Sequence, residues 1–341
     1  MCASHPELLS EIPPKDCNCE HEFPFSSDGE ATIRTPGIFD ILQFYFRLKE
    51  VMYAFTKREI LAIIAANYDP LGLVGPVITA AKIFMQNIWK IHIADKSSWD
   101  KPLPENFLSH CSLLAQQLPK LKNIKIPRYY FTCKPTAIEL YGFCDASEKA
   151  YSAVVYIRGI PATTNTRLVM SKSRVASLKK QTLPRLELCG TVLLTDLAFK
   201  MKEMLQLQYD ISLVQLWCDS TIALSWIHTS SYKLGTFVGN RVQKIQNLSR
   251  DVIWDHVDSK SNPADCLSRG LTPQKLQNHE IWWNGPRWSR DNEGPSSKES
   301  TFRPNLNFEL DFKKPTFVHN LPLSREMISS QNIRNSRSWF E

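Results

Sequence analysis

The spacing of apolar residues changes near residue 135, where a helical period gives way to the two-residue period of β-strands. Three such runs lie at hairpin distance from one another and predict an antiparallel meander. They are Ile138–Asp145, Tyr151–Arg158 and Thr166–Ser173. Two later runs predict further strands, a buried one at Leu213–Cys218 and another at Asp251–Val257.

Helical patterns lie between these strands. A long helix is predicted from Pro184 to about Leu207, because proline suits the first helical position and apolar residues recur along one stripe. Shorter helices are predicted at Thr221–His228, at Phe237–Leu248 and from about Pro263. The order β-β-β-α-β-α-α-β-α predicts an α/β domain whose mixed sheet has three antiparallel strands, then parallel strands, with flanking helices.

The chain before this domain is mainly helical in pattern. One helix is predicted from Thr56 to a point before Asp69, a second after Pro76 and a third at His110–Leu121. Residues 39–50 fit either a short strand or a short helix. These upstream helices contain no evident catalytic group, so we expect a connecting layer.

Composition and period together predict the domain boundaries. The predicted segments are a poorly defined one at 1–55, a helical connection region at 56–130, the principal domain at 135–272, an aromatic extension at 273–290 and a polar tail at 291–341. The aromatic run "IWWNGPRW" predicts a segment packed on the domain, whereas the tail is polar enough to be disordered.

Four carboxylates stand where predicted strands end or helices begin. Asp145 and Asp219 each end a strand, Glu187 lies near the start of the long helix, and Asp265 opens the last helix. Each has a purely structural interpretation, as a turn residue, a partner of a helix dipole or an N-cap. Taken together these interpretations weaken, because Asp145 and Asp219 would stand on neighbouring strands of one sheet.

Several anions gathered at one place repel each other unless a cation lies among them. Ligands that are all oxygen favour hard ions such as Mg²⁺ or Mn²⁺. Two such ions can clamp the attacking and leaving oxygens of a phosphodiester during an in-line displacement.

Six motifs in this order, followed by "WWNGPRW", resemble one family, the BEL/Pao-type LTR retrotransposon Pol polyproteins. The motifs are "YDPLGLVGPV", "FCDASEKAYSAVVY", "LPRLELCG", "WCDSTIALSWI", "FVGNRV" and "NPADCLSRG". The resemblance covers about Thr56 to Trp288. It implies an RNase H-like fold after a linker that carries a Pao peptidase label, with residues 1–55 similar to the end of a reverse transcriptase region.

The resemblance also implies roles for the carboxylates, with two Mg²⁺ or Mn²⁺ ions as cofactors. Asp145 would bridge both ions, Glu187 and Asp219 would hold the ion near the leaving 3′ oxygen, and Asp265 would hold the ion that activates water. The implied reaction is hydrolysis of the RNA strand of an RNA–DNA hybrid. Ser152 and Gly239 depart from the family pattern, which has Gly and Ala there, but both residues are small.

Two further features lie beside the predicted site. His256 is either the counterpart of a mobile histidine in retroviral RNases H or a structural residue. The stretch "SKSRVASLKKQTLPR" has no acidic residue and predicts a basic, phosphate-contacting loop leading into the helix of Glu187, or else a solvated loop. Its basic residues are Lys172, Arg174, Lys179, Lys180 and Arg185.

Other functions remain open from the sequence. The chain has no Asp-Asp pair of a polymerase, no Asp-Thr-Gly or Asp-Ser-Gly of an aspartic protease and no zinc module of an integrase. A non-catalytic alternative is therefore an inactive or domesticated nucleic-acid-binding relic of a Pol polyprotein that lacks the polymerase and integrase. The partners implied by the resemblance are an RNA–DNA hybrid or other nucleic acid, and the reverse transcriptase and integrase parts of a polyprotein. An integrase-like nuclease is disfavoured, because Glu187 precedes Asp219.

Composition adds little to this picture. A net charge of +7 and a pI near 8.9 favour polyanionic partners without identifying one. Nine cysteines without paired spacing predict reduced thiols, and "CNCEH" (Cys17, Cys19, His21) lacks the second pair that a zinc site needs. The longest apolar region is interrupted by Asp69 and two prolines, so we expect no membrane span and an intracellular protein, cytoplasmic or nuclear.

Overall fold

The computed structural model describes residues 43–44, 56–65, 67, 69–91, 99–127, 130–131, 134–160, 166–289, 302–303 and 312. The "CNCEH" motif, nearly all of residues 1–55 and most of the polar tail lie outside these ranges, so what was predicted for them stays a prediction. Within the described residues, no helix combines the length and the apolar character needed to cross a bilayer.

In the described part of the chain, three α-helices and a two-stranded sheet come before the principal domain. They are β1 (Gln43–Phe44), α1 (Lys57–Ala65), α2 (Gly75–Ile91), α3 (Glu105–Gln117) and β2 (Ile126–Pro127), with β1 and β2 antiparallel. The predicted helix at His110–Leu121 is wrong in its bounds. Helix α3 begins directly after Pro104, and Pro119 lies in a 3₁₀ turn that follows it, because proline has no N–H to continue an α-helix.

A five-stranded mixed sheet forms the centre of the molecule. Its strands are β3 (Ala137–Ala146), β4 (Ala150–Ile160), β5 (Arg167–Val175), β6 (Ile211–Cys218) and β7 (Ile253–His256). The spatial order is β5-β4-β3-β6-β7. Strands β3, β4 and β5 are antiparallel, whereas β6 and β7 continue the sheet in parallel with β3. The predicted α/β class and RNase H-like fold are confirmed.

Helices cover both faces of this sheet. The later helices are α4 (Leu183–Leu205), α5 (Thr221–Ile227), α6 (Thr236–Leu248), α7 (Ala264–Arg269), α8 (Pro273–Gln277) and α9 (Glu280–Asn284). Helices α4, α5 and α6 pack on one face, and α2, α7, α8 and α9 contribute to the core on the other. Alternation along β3 supplies both cores, because Leu140 faces the first and Tyr141 faces the second.

The upstream segment and the aromatic extension share the second core. Leu73 and Val77 belong to the same buried cluster as Tyr141 and Trp282. Trp282 is fully buried, and its indole Nε1 donates to the Leu73 oxygen at 2.9 Å. The chain before the sheet and the chain after it therefore meet across the face that carries α7.

Helix α2 also lies against the edge strand β5. The Ser171 nitrogen donates to the Leu71 oxygen at 2.8 Å, and the hydroxyls of Thr79 and Ser173 are 2.6 Å apart. Gln86 Nε2 donates to the Ala176 oxygen at 2.6 Å. These bonds use polar groups along a sheet edge that would otherwise face solvent.

Candidate functional site

Two aspartates meet at one rim of the sheet because β3 and β6 are parallel neighbours. Cys144 pairs with Cys218 across these strands, so the next residues along the chain are Asp145, still in β3, and Asp219, directly after the end of β6. Asp145 lies within β3, opposite Ser152, and its residue surface is 4% exposed. Asp145 is therefore a buried strand residue, and the turn-residue interpretation is wrong.

Asp219 is not a helix cap. The N-cap of α5 is Ser220, whose side chain accepts from the Ala223 nitrogen at 3.2 Å. One carboxylate oxygen of Asp219, Oδ2, accepts from the Ser259 hydroxyl at 3.0 Å. The other, Oδ1, is buried and has no hydrogen-bond partner. A buried carboxylate oxygen without a donor is costly, so this atom indicates a site for a cation or a donor.

Glu187 reaches the same rim from α4. Gly190, one turn further along, allows close packing, since a Cβ there would lie 3.3 Å from the Asp145 oxygen and 3.5 Å from the Ser152 oxygen. The Glu187 carboxylate accepts a hydrogen bond from Ser220. Burial raises the pKa of Glu187, the charge of Asp219 raises it further, and the bond from Ser220 opposes both. The helix thus delivers a third carboxylate beside Asp219.

Asp265 is held in place through the turn before α7. Asn262 Nδ2 donates to the Cys144 oxygen at 2.9 Å, and the Ser152 hydroxyl donates to the Ala264 oxygen at 3.0 Å. The serine that departs from the family pattern therefore fastens α7 to β4. Within α7, Arg269 Nε donates to Asp265 Oδ1 at 2.5 Å, an i,i+4 ion pair.

The charges of these carboxylates act on one another. Burial, followed by the charges of Asp219 and Asp265, raises the pKa of Asp145 to about 8, and a hydrogen bond from the Ser268 hydroxyl opposes the rise. The carboxyls of Asp145 and Asp219 are close enough for their charges to interact. Two like charges at this distance do not both ionise readily without a cation.

The set fits a hard divalent cation in donor type and in charge, because it offers only carboxylate oxygens and includes the free Oδ1 of Asp219. The four carboxylates do not surround one common point. Across the described ranges, no group of three or more His, Cys, Asp or Glu side chains is close enough to hold an ion. The hydrogen bonds of Asp145 with Ser268 and of Asp265 with Arg269 account for part of this spread, since they direct carboxylate oxygens elsewhere.

His256 lies at the end of β7, beside the carboxylates. The ring Nε2 is 3.2 Å from the backbone oxygen of Asp219, and the residue is exposed. This position places an imidazole at the rim of the site, where a proton could pass between it and solvent. The structure brings it to Asp219, not to Asp265.

The basic residues lie on three kinds of structure, not on one loop. Lys172 and Arg174 are exposed on the edge strand β5, Lys179 and Lys180 are exposed in the connection to α4, and Arg185 is in the first turn of α4. The prediction of a single basic loop is wrong, because the strand continues to Val175. The guanidinium of Arg185 lies 5.1 Å from the ring centre of Phe237.

Sequence reasoning missed the polar residues that orient the carboxylates. Ser268 and Arg269 are three and four residues after Asp265, so helical spacing within "NPADCLSRG" was a usable signal for their proximity to it. The contacts of Ser268 with Asp145 and of Ser259 with Asp219 join distant parts of the chain, and no local pattern indicates them.

Comparison with known families gives a match for residues 56–220, to the family described as "Pao retrotransposon-like RNaseH-like domain". The match covers slightly less than half of the chain and includes Asp145, Glu187 and Asp219. It confirms the retrotransposon resemblance predicted from the sequence. Comparison with curated protein sequences gives no match.

Several solved structures are similar to the chain. An N-terminal RNase H domain from Mycobacterium tuberculosis, solved as a fusion with maltose binding protein, is 10% identical, with a TM-score of 0.27, over 37% of this chain and 86% of that chain. RNase H1 from Halobacterium salinarum is 10% identical, with a TM-score of 0.27, over 39% and 91%. A foamy viral protease-reverse transcriptase in complex with double-stranded DNA is 10% identical, with a TM-score of 0.38, over 61% and 33%.

Proposed function

We propose that this chain, whose residues 56–220 match the family described as "Pao retrotransposon-like RNaseH-like domain", is a divalent-metal-dependent ribonuclease that hydrolyses the RNA strand of RNA–DNA hybrids. The observation that carries the proposal is the meeting of Asp145, Glu187, Asp219 and Asp265 at one rim. They come from four different elements, and one buried oxygen there lacks any partner.

The metal ligands in this proposal are the four carboxylates. Asp145 is central, because its carboxyl interacts with those of Asp219 and Asp265. Glu187 adds a second carboxylate beside that of Asp219, from α4. When bound, two Mg²⁺ or Mn²⁺ ions would stabilise charge on the phosphate and favour the hydroxide form of the attacking water.

The surrounding side chains hold these ligands and handle protons. Ser220, Ser259 and Ser268 each donate a hydroxyl to one carboxylate, which restricts its rotation without adding charge. His256 is exposed and stands beside the backbone oxygen of Asp219, where an imidazole can pass a proton between the rim and solvent. We assign it proton transfer at the rim.

The exposed basic residues supply substrate affinity. Lys172 and Arg174 on β5, with Lys179 and Lys180 in the connection to α4, give a positively charged approach that leads toward the helix of Glu187. Contacts of this type bind phosphates independently of base sequence. Preference for a hybrid would come from its shape and from the 2′-hydroxyls of the RNA strand.

The test is cleavage of an end-labelled RNA–DNA hybrid by the full chain in Mg²⁺ and in Mn²⁺. We expect cleavage of the RNA strand only, with single-stranded RNA and double-stranded DNA left intact. Asp219→Asn should lower the rate by at least about a hundredfold, the scale of losing a group that acts on the transition state. Asp210→Asn, an exposed aspartate outside the site, should cleave like the parent.

Two results would contradict the proposal. Retained hybrid binding without cleavage in either ion would favour the non-catalytic nucleic-acid-binding relic. Equal cleavage by the parent and by Asp219→Asn would place the activity elsewhere.

A further inference from the structure

A cationic side chain, that of Arg269, stands among the acidic side chains of the site. Among the ion pairs between described residues, one includes a member of the four-carboxylate set. It joins Arg269 Nε to Asp265 Oδ1 at 2.5 Å. The hydrogen bond and the charge of Asp265 raise the pKa of Arg269, and the charges of Asp145 and Asp219 raise it slightly further. Arg269 therefore neutralises part of the negative charge that a divalent ion would otherwise neutralise.

The pair directs Asp265 away from a shared ion. Asp265 uses Oδ1 for Arg269, and in the described residues no three acidic groups of the rim converge on one point. Release of the bond between Arg269 and Asp265 would free the Oδ1 oxygen of Asp265 for an ion.

The backbone beneath Arg269 is fixed, so only its side chain is free to move. Arg269 ends α7, and the next residue, Gly270, has a φ of 82°. A Cβ at Gly270 would lie 2.8 Å from the Cβ of Ala80, so the turn packs tightly on α2. The Leu271 nitrogen donates to the Pro76 oxygen at 3.1 Å. By contrast, the Arg269 side chain is 65% exposed and has space to rotate into solvent.

We infer that Arg269 is an internal counter-ion that competes with divalent metal for Asp265 and swings out when metal binds. The inference rests on the proposed function, because it requires that the four carboxylates hold the ion. It gives Arg269 a positioning role. Arg269 lowers the affinity of the carboxylates for the ion and neutralises part of their charge when no ion is bound.

Competition for Asp265 predicts whether a mutation of Arg269 strengthens or weakens Mn²⁺ binding. Arg269→Gln removes the cation while keeping a polar side chain of similar length, so Mn²⁺ should bind about fivefold more tightly, the scale of losing one exposed ion pair. Arg269→Lys keeps the charge and should stay within about twofold of the parent. If Arg269 instead held Asp265 ready for the ion, Arg269→Gln would weaken Mn²⁺ binding.

The experiment is titration calorimetry of the full chain with Mn²⁺ at neutral pH, without nucleic acid. Arg250→Gln is the matched control, since Arg250 is an exposed arginine that follows α6. Tighter binding by Arg269→Gln, with unchanged binding by Arg269→Lys and Arg250→Gln, would support the inference. Unchanged or weaker binding by Arg269→Gln would overturn it.

Asp219→Asn separates this inference from the proposed function. If the parent binds Mn²⁺ and Asp219→Asn does not, the carboxylate site stands whatever Arg269→Gln does. If the parent and Asp219→Asn bind Mn²⁺ equally, or neither binds it, the carboxylate site fails and the role of Arg269 fails with it.

Discussion

Replacement of Asp145 by asparagine should stabilise the metal-free protein at high pH while removing activity. The Asp145 carboxyl is buried, and its pKa is raised from the ordinary 3.8 to about 8 by burial and by the charges of Asp219 and Asp265. Asparagine has nearly the same shape, keeps an oxygen that accepts from Ser268 and has an amide that can donate to Asp219. The substitution therefore removes the cost of the charge and retains the packing.

The direction and the size of the change in unfolding free energy follow from the raised pKa of Asp145. The folded protein holds this proton more tightly than the unfolded chain, so the stabilising contribution is complete below pH 3.8 and is lost as the pH rises to about 8. A gap of about four pKa units corresponds to at most about 6 kcal/mol. Because water penetration relieves part of a burial cost, we expect a gain of about 2–4 kcal/mol at pH 8.5 and a much smaller one at pH 4.5.

The assay is urea denaturation of the parent and of Asp145→Asn in EDTA, from pH 4.5 to 8.5. The difference in unfolding free energy should grow steadily with pH. Asp210→Asn, at an exposed position, should show no such trend. If Asp145→Asn is less stable than the parent at pH 8.5, or if the difference does not change with pH, the electrostatic account of the rim is wrong.

Three other predictions test the fold and the substrate surface. Trp282→Ala should cost about 3–5 kcal/mol of unfolding free energy in urea, because a fully buried indole and its bond to Leu73 are lost, and the half-buried Trp283→Ala should cost less. A chain that begins at residue 132 should bind a hydrophobic dye and aggregate, since the core shared with Leu73 is opened; a cooperative melt like that of the full chain would contradict this. Joint replacement of Lys172 and Arg174 by alanine should lower the slope of log affinity against log salt by about 1–2 in hybrid-binding titrations, and an unchanged slope would exclude phosphate contacts there.

The sheet and the meeting of its two aspartates were predictable because both depend on local signals. The alternation in Ile138–Asp145 and the apolar run of Leu213–Cys218 each indicate a strand, and the carboxyl ends of parallel neighbours share one rim. Edges of elements were less predictable. The start of α3 depends on Pro104, and the basic stretch after Ser171 remains strand as far as Val175 because it pairs with β4.

The detailed environment of the carboxylates was not predictable from local patterns. The contact of Ser268 with Asp145 spans 123 residues and that of Ser259 with Asp219 spans 40, so they depend on how α7 and the 3₁₀ turn before it dock on the sheet. That docking depends in turn on Asn262 and Ser152, which bond to backbone oxygens. The choice between a dipole partner and a metal ligand for Asp265 is likewise a matter of tertiary position.

Diffraction from crystals of the full chain soaked in Mn²⁺, with anomalous scattering recorded at the manganese edge, tests the central claim most directly. We predict anomalous peaks at the rim of the sheet, in contact with the carboxylates of Asp145 and Asp219, with Asp265 turned away from Arg269. Peaks found only at other positions, or a saturating soak that leaves all four carboxylates without an ion, would contradict the proposed metal site.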